Sequence, residues 1–162
     1  IPAILKRKGL FFKTADGNSI GKHLYEDIDH WNKLRKGETI PDIQKQRLLE
    51  KIKGKPNYSL EWYDAFNNVA SAKIDYLRAM LLNGEKINKE PRIKVSTIHG
   101  AKGGEATNVI LFLNQTINTM KAASKSIVKQ DEEYRVWYVG VTRTIQNLYL
   151  IKCNHKQKEF II

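Results

Sequence analysis

Two short runs in the last third of the chain hold side chains that can do chemistry. The first is Thr97-Ile98-His99-Gly100-Ala101-Lys102-Gly103-Gly104-Glu105, which places a hydroxyl, an imidazole, an ammonium and a carboxylate within nine residues. Its glycines allow the backbone to approach a ligand closely. A turn of this kind that opens a short helix can present backbone N–H groups to a phosphate. The same residues also suit a polar loop whose glycines serve tight turns, and residue types alone do not separate the two. The second run is Glu132-Glu133-Tyr134-Arg135-Val136-Trp137-Tyr138-Val139-Gly140-Val141-Thr142-Arg143. It reads as a helix, largely apolar and therefore expected to be buried from Val136 to Val141, with Arg143 just beyond. An arginine there can project into a cleft, where its planar fork suits phosphate oxygens. It can also pair with a carboxylate or cap carbonyls, which is the commoner use.

The elements that must position these runs follow from periodicity. Ile93-Lys94-Val95-Ser96-Thr97 alternates as a strand does. Val109 to Leu113 is a continuous apolar strand, of the kind buried on both faces of a parallel sheet. A helix is expected from about Thr116 to Val128. Another is expected to open on Asp131-Glu132-Glu133, whose acids suit the positive end of a helix dipole. Leu148 to Ile151 is a final strand. Strand, helix, strand, helix, strand implies an α/β domain with a mostly parallel sheet. The loop of the first run leaves the carboxyl end of a strand, where α/β sheets gather their ligands.

Upstream, Pro2 to Lys8 reads as a helix end stopped by Gly9. Leu10-Phe11-Phe12 reads as a short strand and Asp16-Gly17-Asn18 as a turn. A helix capped by Asn18 or Ser19 is expected through about Leu34, with Ile20, Leu24, Ile28 and Trp31 on one face and Gly37 ending it. From residue 37 to 91 the sequence is rich in Lys, Glu and Asn and helical in period. Helices are expected from Pro41 to about Ile52, after Ser59 with Trp62 and Phe66 inward, and from Ala70 to Leu82 with Ile74, Leu77 and Leu81 on one face. This stretch reads as a small helical insertion, or as the helical cover of an α/β domain. Trp31 and Trp62 could stack on bases, although burial in a core is the expectation.

Of 162 residues, 28 are Lys or Arg and 17 are Asp or Glu, a net charge of +11. That surplus favours a polyanionic partner, nucleic acid before anionic lipid; its plainer reading is a solvated lysine-rich surface. Hydrophobic residues are 41% and charged residues 28%, an ordinary globular composition and not a disordered one. No apolar run approaches the roughly 20 residues that span a bilayer. Ile1-Pro2-Ala3-Ile4-Leu5-Lys6-Arg7-Lys8 does not have the order of a signal peptide. Without an initiator Met, the chain is expected to begin inside a longer protein. Cys153 is the single cysteine, so no internal disulfide is possible and an intracellular, cytoplasmic setting is expected.

The two runs together resemble motifs V and VI of UvrD/Rep-type superfamily 1 DNA helicases. Thr97, His99, Lys102, Gly103 and Glu105 fall on the motif V pattern T-x-H-x-x-K-G-x-E, with Val109 to Leu113 as the apolar strand that follows. Glu132, Glu133, Arg135, Tyr138, Val139, Thr142 and Arg143 fall on the motif VI pattern E-E-x-R-x-x-Y-V-x-x-T-R. The motifs stand in the family's order, with 26 residues between Glu105 and Glu132. Ile4 to Phe12 is similar, more loosely, to the helix and strand after motif IV. Gly104 stands where the family often has a larger apolar residue, and Thr144 where Ala is usual. Gly104 is expected to loosen the turn.

The resemblance implies a RecA-like second motor domain over residues 1–162, of the P-loop NTPase type, with a reduced helical insertion at 37–91. It implies that Arg143 reaches the γ-phosphate of ATP as an arginine finger in cis. It also implies that Glu105 hydrogen-bonds the ribose, that Gly103 gives the nucleotide room, and that Thr97, His99 and Lys102 lie toward single-stranded DNA. The sequence contains no G-x-x-x-x-G-K-[ST], so ATP and Mg²⁺ would be held mainly by an N-terminal RecA-like domain of the same protein. No metal-ligand set is expected in this chain. The expected function is the C-terminal motor domain of an ATP-dependent DNA helicase or translocase. The alternative is a non-catalytic nucleic-acid-binding α/β module that keeps a helicase-like surface.

Overall fold

The computed structural model describes residues 1–152 and Phe160; Cys153, on which the expectation of an intracellular, cytoplasmic setting rests, lies outside the described residues. The chain divides into two compact units, Ile1–Val95 and Ser96 onward.

The first unit contains helices α1 (Pro2–Arg7), α2 (Lys22–Arg35), α3 (Asp42–Leu49), α4 (Trp62–Ala65) and α5 (Ser71–Leu82), with strands β1 (Phe12–Thr14), β2 (Gly17–Asn18) and β3 (Ile93–Lys94). The strands form a sheet in the order β2-β1-β3. β1 pairs antiparallel with β2 through a tight turn, and parallel with β3 in the register Phe12↔Ile93. Gly9 ends the α1 turn at φ 62°, and a Cβ there would lie 2.7 Å from the carbonyl carbon of Ala79. The stop signal and the close approach of α5 therefore both require glycine at this position.

α2 buries Leu24, Ile28 and Trp31 at helical spacing. Around them lie Phe11, Phe12, Leu48, Phe66, Leu77 and Met80, all essentially without exposed surface. Residues from the 37–91 stretch thus share one apolar cluster with residues before it. Trp31 and Trp62 are core side chains. The Trp31 indole nitrogen donates to the Leu60 carbonyl at 3.1 Å, which satisfies its one polar atom.

Two expected helix caps do not form. α2 begins after Gly21 without a side-chain cap, because Ser19 Oγ accepts from the Phe12 amide and lies 2.6 Å from the Tyr76 hydroxyl. α4 is a single turn that begins after Glu61, not at Ser59.

The second unit contains a 3₁₀ turn (His99–Ala101), β4 (Ala106–Phe112), α6 (Ile117–Lys125), α7 (Ile127–Val141) and β5 (Thr144–Ile151). β4 and β5 run parallel, with Val109↔Leu148 and Leu111↔Leu150 in register. The two helices form the crossover that a parallel pair requires. Thr116 caps α6, its Oγ1 accepting from the Thr119 amide at 3.1 Å.

α7 starts at Ile127, earlier than the acidic run suggested, because Ser126 is extended (φ −153°, ψ 127°) and separates the two helices. The acids therefore sit in its second turn, where Glu132 pairs with Lys129 and Glu133 accepts from the Trp137 indole at 3.0 Å.

β4 is not buried on both faces within this unit. Leu111 is buried while Ile110 and Phe112 are exposed, because α7 packs on one face only. Leu111, Leu113 and Trp137 form the core with Ile98, Val109 and Val141 against them, and the Phe160 ring stacks on Trp137 at 4.7 Å. The burial expected from Val136 to Val141 is complete only at Trp137 and Gly140, and Tyr138 is exposed.

The architecture is mixed α/β, with two small sheets and seven α-helices among the described residues. None of those helices is long and apolar enough to cross a membrane.

Candidate functional site

The loop from Thr97 to Glu105 is built by its own polar atoms. Thr97 Oγ1 accepts from the Gly100 amide at 3.0 Å, and the Ala101 amide donates to the Thr97 carbonyl at 3.1 Å. These bonds close the 3₁₀ turn that begins at His99. A Cβ at Gly100 would lie 2.7 Å from Ser96 Oγ, so a side chain there would require the Ser96 hydroxyl to move.

Gly103 has φ +80°, a conformation that L side chains rarely adopt, and nothing lies within 4 Å of where its Cβ would stand. It is therefore fixed as glycine by its backbone and borders open space. Gly104 has an ordinary φ, and a Cβ on it would meet only the Ala101 carbonyl oxygen at 3.5 Å. That is an ordinary van der Waals contact, so neither backbone conformation nor a clash at Cβ demands glycine at 104. Thr97, His99, Lys102, Gly103 and Glu105 are all exposed, and Arg143 is partly buried.

Arg143 follows the last turn of α7 and is held at three nitrogens. Its Nε donates to the Val139 carbonyl at 3.0 Å, one terminal nitrogen to Thr142 Oγ1 at 3.1 Å, and the other to the Gly104 carbonyl at 3.3 Å. Its own carbonyl accepts from the Ala106 amide at 2.9 Å. Arg143 thus joins the end of α7 to the loop at Gly104, with predicted site residues Gly103 and Glu105 on either side in the chain.

Of the structural uses open to it from sequence, the carbonyl-capping one is realised, and it suits the negative end of a helix. The carboxylate pair is not: among the described residues Arg143 forms no ion pair. Its charge is compensated by neutral oxygens, two of them backbone. A guanidinium held in this way keeps its capacity for an anionic ligand.

Gly140 brings α7 close to this loop. A Cβ there would meet Ile98 side-chain carbons at 3.3 and 3.4 Å and Leu111 Cδ1 at 3.4 Å. Gly140 and the Gly104 carbonyl carry no signal as site residues by type. Thr142 lies on the motif pattern, but its bond to Arg143 is visible only in three dimensions.

No group of three or more His, Cys, Asp or Glu among the described residues could hold a metal ion. A separate groove of about 560 Å³ is lined by Asn32, Arg35, Lys36, Tyr58 and Ser59. It contains none of the residues predicted from the motifs.

The family model for the UvrD-like helicase C-terminal domain matches residues 21–155. The chain therefore belongs to the UvrD-like helicase C-terminal domain family. Over 147 residues it is 27% identical to a protein of Mycoplasma capricolum subsp. capricolum described as a probable DNA helicase II homolog. That match covers 87% of this chain and 20% of the relative, so the chain spans about a fifth of the length of the curated relative it matches.

Proposed function

We propose that this chain is the second, RecA-like motor domain of an ATP-dependent DNA helicase or translocase, with residues 37–91 as its reduced helical insertion. In this reading a first RecA-like domain of the same protein holds ATP and Mg²⁺, and this domain supplies the opposite wall of the cleft. ATP brings the phosphoanhydride whose hydrolysis drives movement. Arg143 lies against the γ-phosphate and stabilises the charge that develops on the transferring phosphoryl group. Glu105 accepts from the ribose, Gly103 leaves the nucleotide room, and Thr97, His99 and Lys102 face single-stranded DNA. The donor set fits a nucleotide, since a guanidinium without a carboxylate reaches the loop at the Gly104 carbonyl, one residue from Gly103, whose Cβ position borders open space. It does not suit Mg²⁺, for which this chain offers no cluster of carboxylates among its described residues.

The observation that carries this reading is Arg143 itself, fixed at the joint of the two motif segments and bound only to neutral oxygens. In the full-length protein, Arg143→Ala should slow ATP hydrolysis by a factor on the order of 10³, mostly in kcat. Arg143→Lys should restore little, because lysine keeps the charge and loses the planar fork. If Arg143 serves only as a helix cap, the outcome differs. Arg143→Ala then lowers the melting temperature and leaves the kcat of the folded enzyme near normal, and the reading fails.

A further inference from the structure

We infer that Thr142 is a positioning residue for Arg143, its hydroxyl setting the plane in which the guanidinium is presented. The inference rests on the reading of Arg143 as the phosphate-facing group.

Thr142 Oγ1 lies 2.9 Å from the Tyr138 carbonyl and 3.2 Å from that of Val139. Both carbonyls also accept a second donor, Tyr138 from the Thr142 amide at 3.1 Å and Val139 from Arg143 Nε at 3.0 Å. The single hydroxyl proton goes to Tyr138, the nearer oxygen, as a threonine near a helix end commonly donates to a carbonyl one turn back. With its proton committed, the hydroxyl can only accept, and its lone pair receives a terminal nitrogen of Arg143 at 3.1 Å.

Nε on Val139 and one terminal nitrogen on Thr142 hold one edge of the guanidinium against the last turn of α7. The other terminal nitrogen is left to the Gly104 carbonyl at 3.3 Å, the longest of the three bonds. That contact is the one released when a phosphate oxygen takes its place. The helix-side edge keeps the plane fixed, so the fork arrives pre-oriented and little has to rearrange as charge develops.

The test is ATP hydrolysis by the full-length protein with Thr142→Val and Thr142→Ser. Valine nearly matches the shape of threonine and lacks the hydroxyl; serine keeps the hydroxyl and loses the methyl. Thr142→Val should lower kcat by about tenfold, the scale of one hydrogen bond to a charged group, with the KM for ATP little changed. Thr142→Ser should return most of the rate. Equal losses in valine and serine variants would mean that the methyl packing matters and not the hydroxyl, and would overturn the inference. So would a normal kcat for Thr142→Val beside an inactive Arg143→Ala, an outcome that leaves the proposed function standing. A near-normal kcat for Arg143→Ala would overturn both. Far-UV circular dichroism on each variant keeps a folding failure apart from a kinetic one, and if the valine variant is unfolded, Thr142→Ala provides the same comparison with serine.

Discussion

Asp27 has no exposed surface and meets Arg47 of α3 at 2.8 Å to Nε and 2.7 Å to a terminal nitrogen, both through Oδ1. Its second oxygen is buried with no hydrogen-bond partner among the described residues. Arg47 is better placed to lose its partner, since it is 30% exposed and has Glu26 at 3.6 Å. The two deletions should therefore be unequal. Arg47→Ala strands a buried carboxylate and should cost about 3–5 kcal/mol, whereas Asp27→Ala frees a guanidinium that can turn to water and to Glu26 and should cost less. Chemical denaturation of the chain measures both. Equal losses, or a larger loss for Asp27→Ala, would contradict the asymmetry of burial.

Between elements, Tyr76 plays the part that no backbone pairing supplies. Its hydroxyl donates from α5 to the Leu10 carbonyl at 2.7 Å and lies 2.6 Å from Ser19 Oγ, the residue that also binds the Phe12 amide. One phenol thus fastens α5 to both ends of the β1–β2 hairpin. Burial raises its pKa above the ordinary phenol value, the Ser19 hydrogen bond opposes the shift, and the charge of Glu85 adds to it. The neutral form is the one the fold prefers. Its contribution is whole below the unfolded phenol value of about 10 and is lost as pH rises through the higher folded value. Tyr76→Phe should cost about 1–2 kcal/mol at neutral pH and should flatten the loss of stability on the alkaline side. An unchanged alkaline limb in thermal melts of the variant would show that other groups govern it.

The net charge of +11 belongs to the molecule as a whole. On the proposed reading the chain binds single-stranded DNA weakly through phosphates, and its affinity falls steeply as salt rises, because bound phosphates release counterions. A fluorescence anisotropy titration at low and at physiological salt measures this, and binding that ignores salt would contradict it. The same chain alone should turn over no ATP above background, since it contains no phosphate-cradling G-x-x-x-x-G-K-[ST] sequence. Turnover by residues 1–162 stimulated by single-stranded DNA would mean that the nucleotide is held in some way other than the one proposed.

Local chemistry is what the sequence alone determined. Gly9 and Gly37 stand at positive φ where helix stops were read, and Leu24, Ile28 and Trp31 face the core at the spacing that announced them. Both motifs were legible because their residue types stand in the order and spacing of the family's pattern, and the family match covers the residues that carry them. These signals survive in one dimension because each depends on neighbours within a turn or two. Polar partners were not legible. Ser19 was read as a cap but spends its hydroxyl on Phe12 and Tyr76, and Tyr76 lies 57 residues away from it. Val109 to Leu113 reads as uniformly apolar, yet only packing decides that Leu111 is covered and Ile110 is not. Arg143 could be recognised by type, but its three acceptors could not. One of them is a carbonyl 39 residues upstream, and every residue carries a carbonyl, so only the folded backbone selects the one that receives the guanidinium.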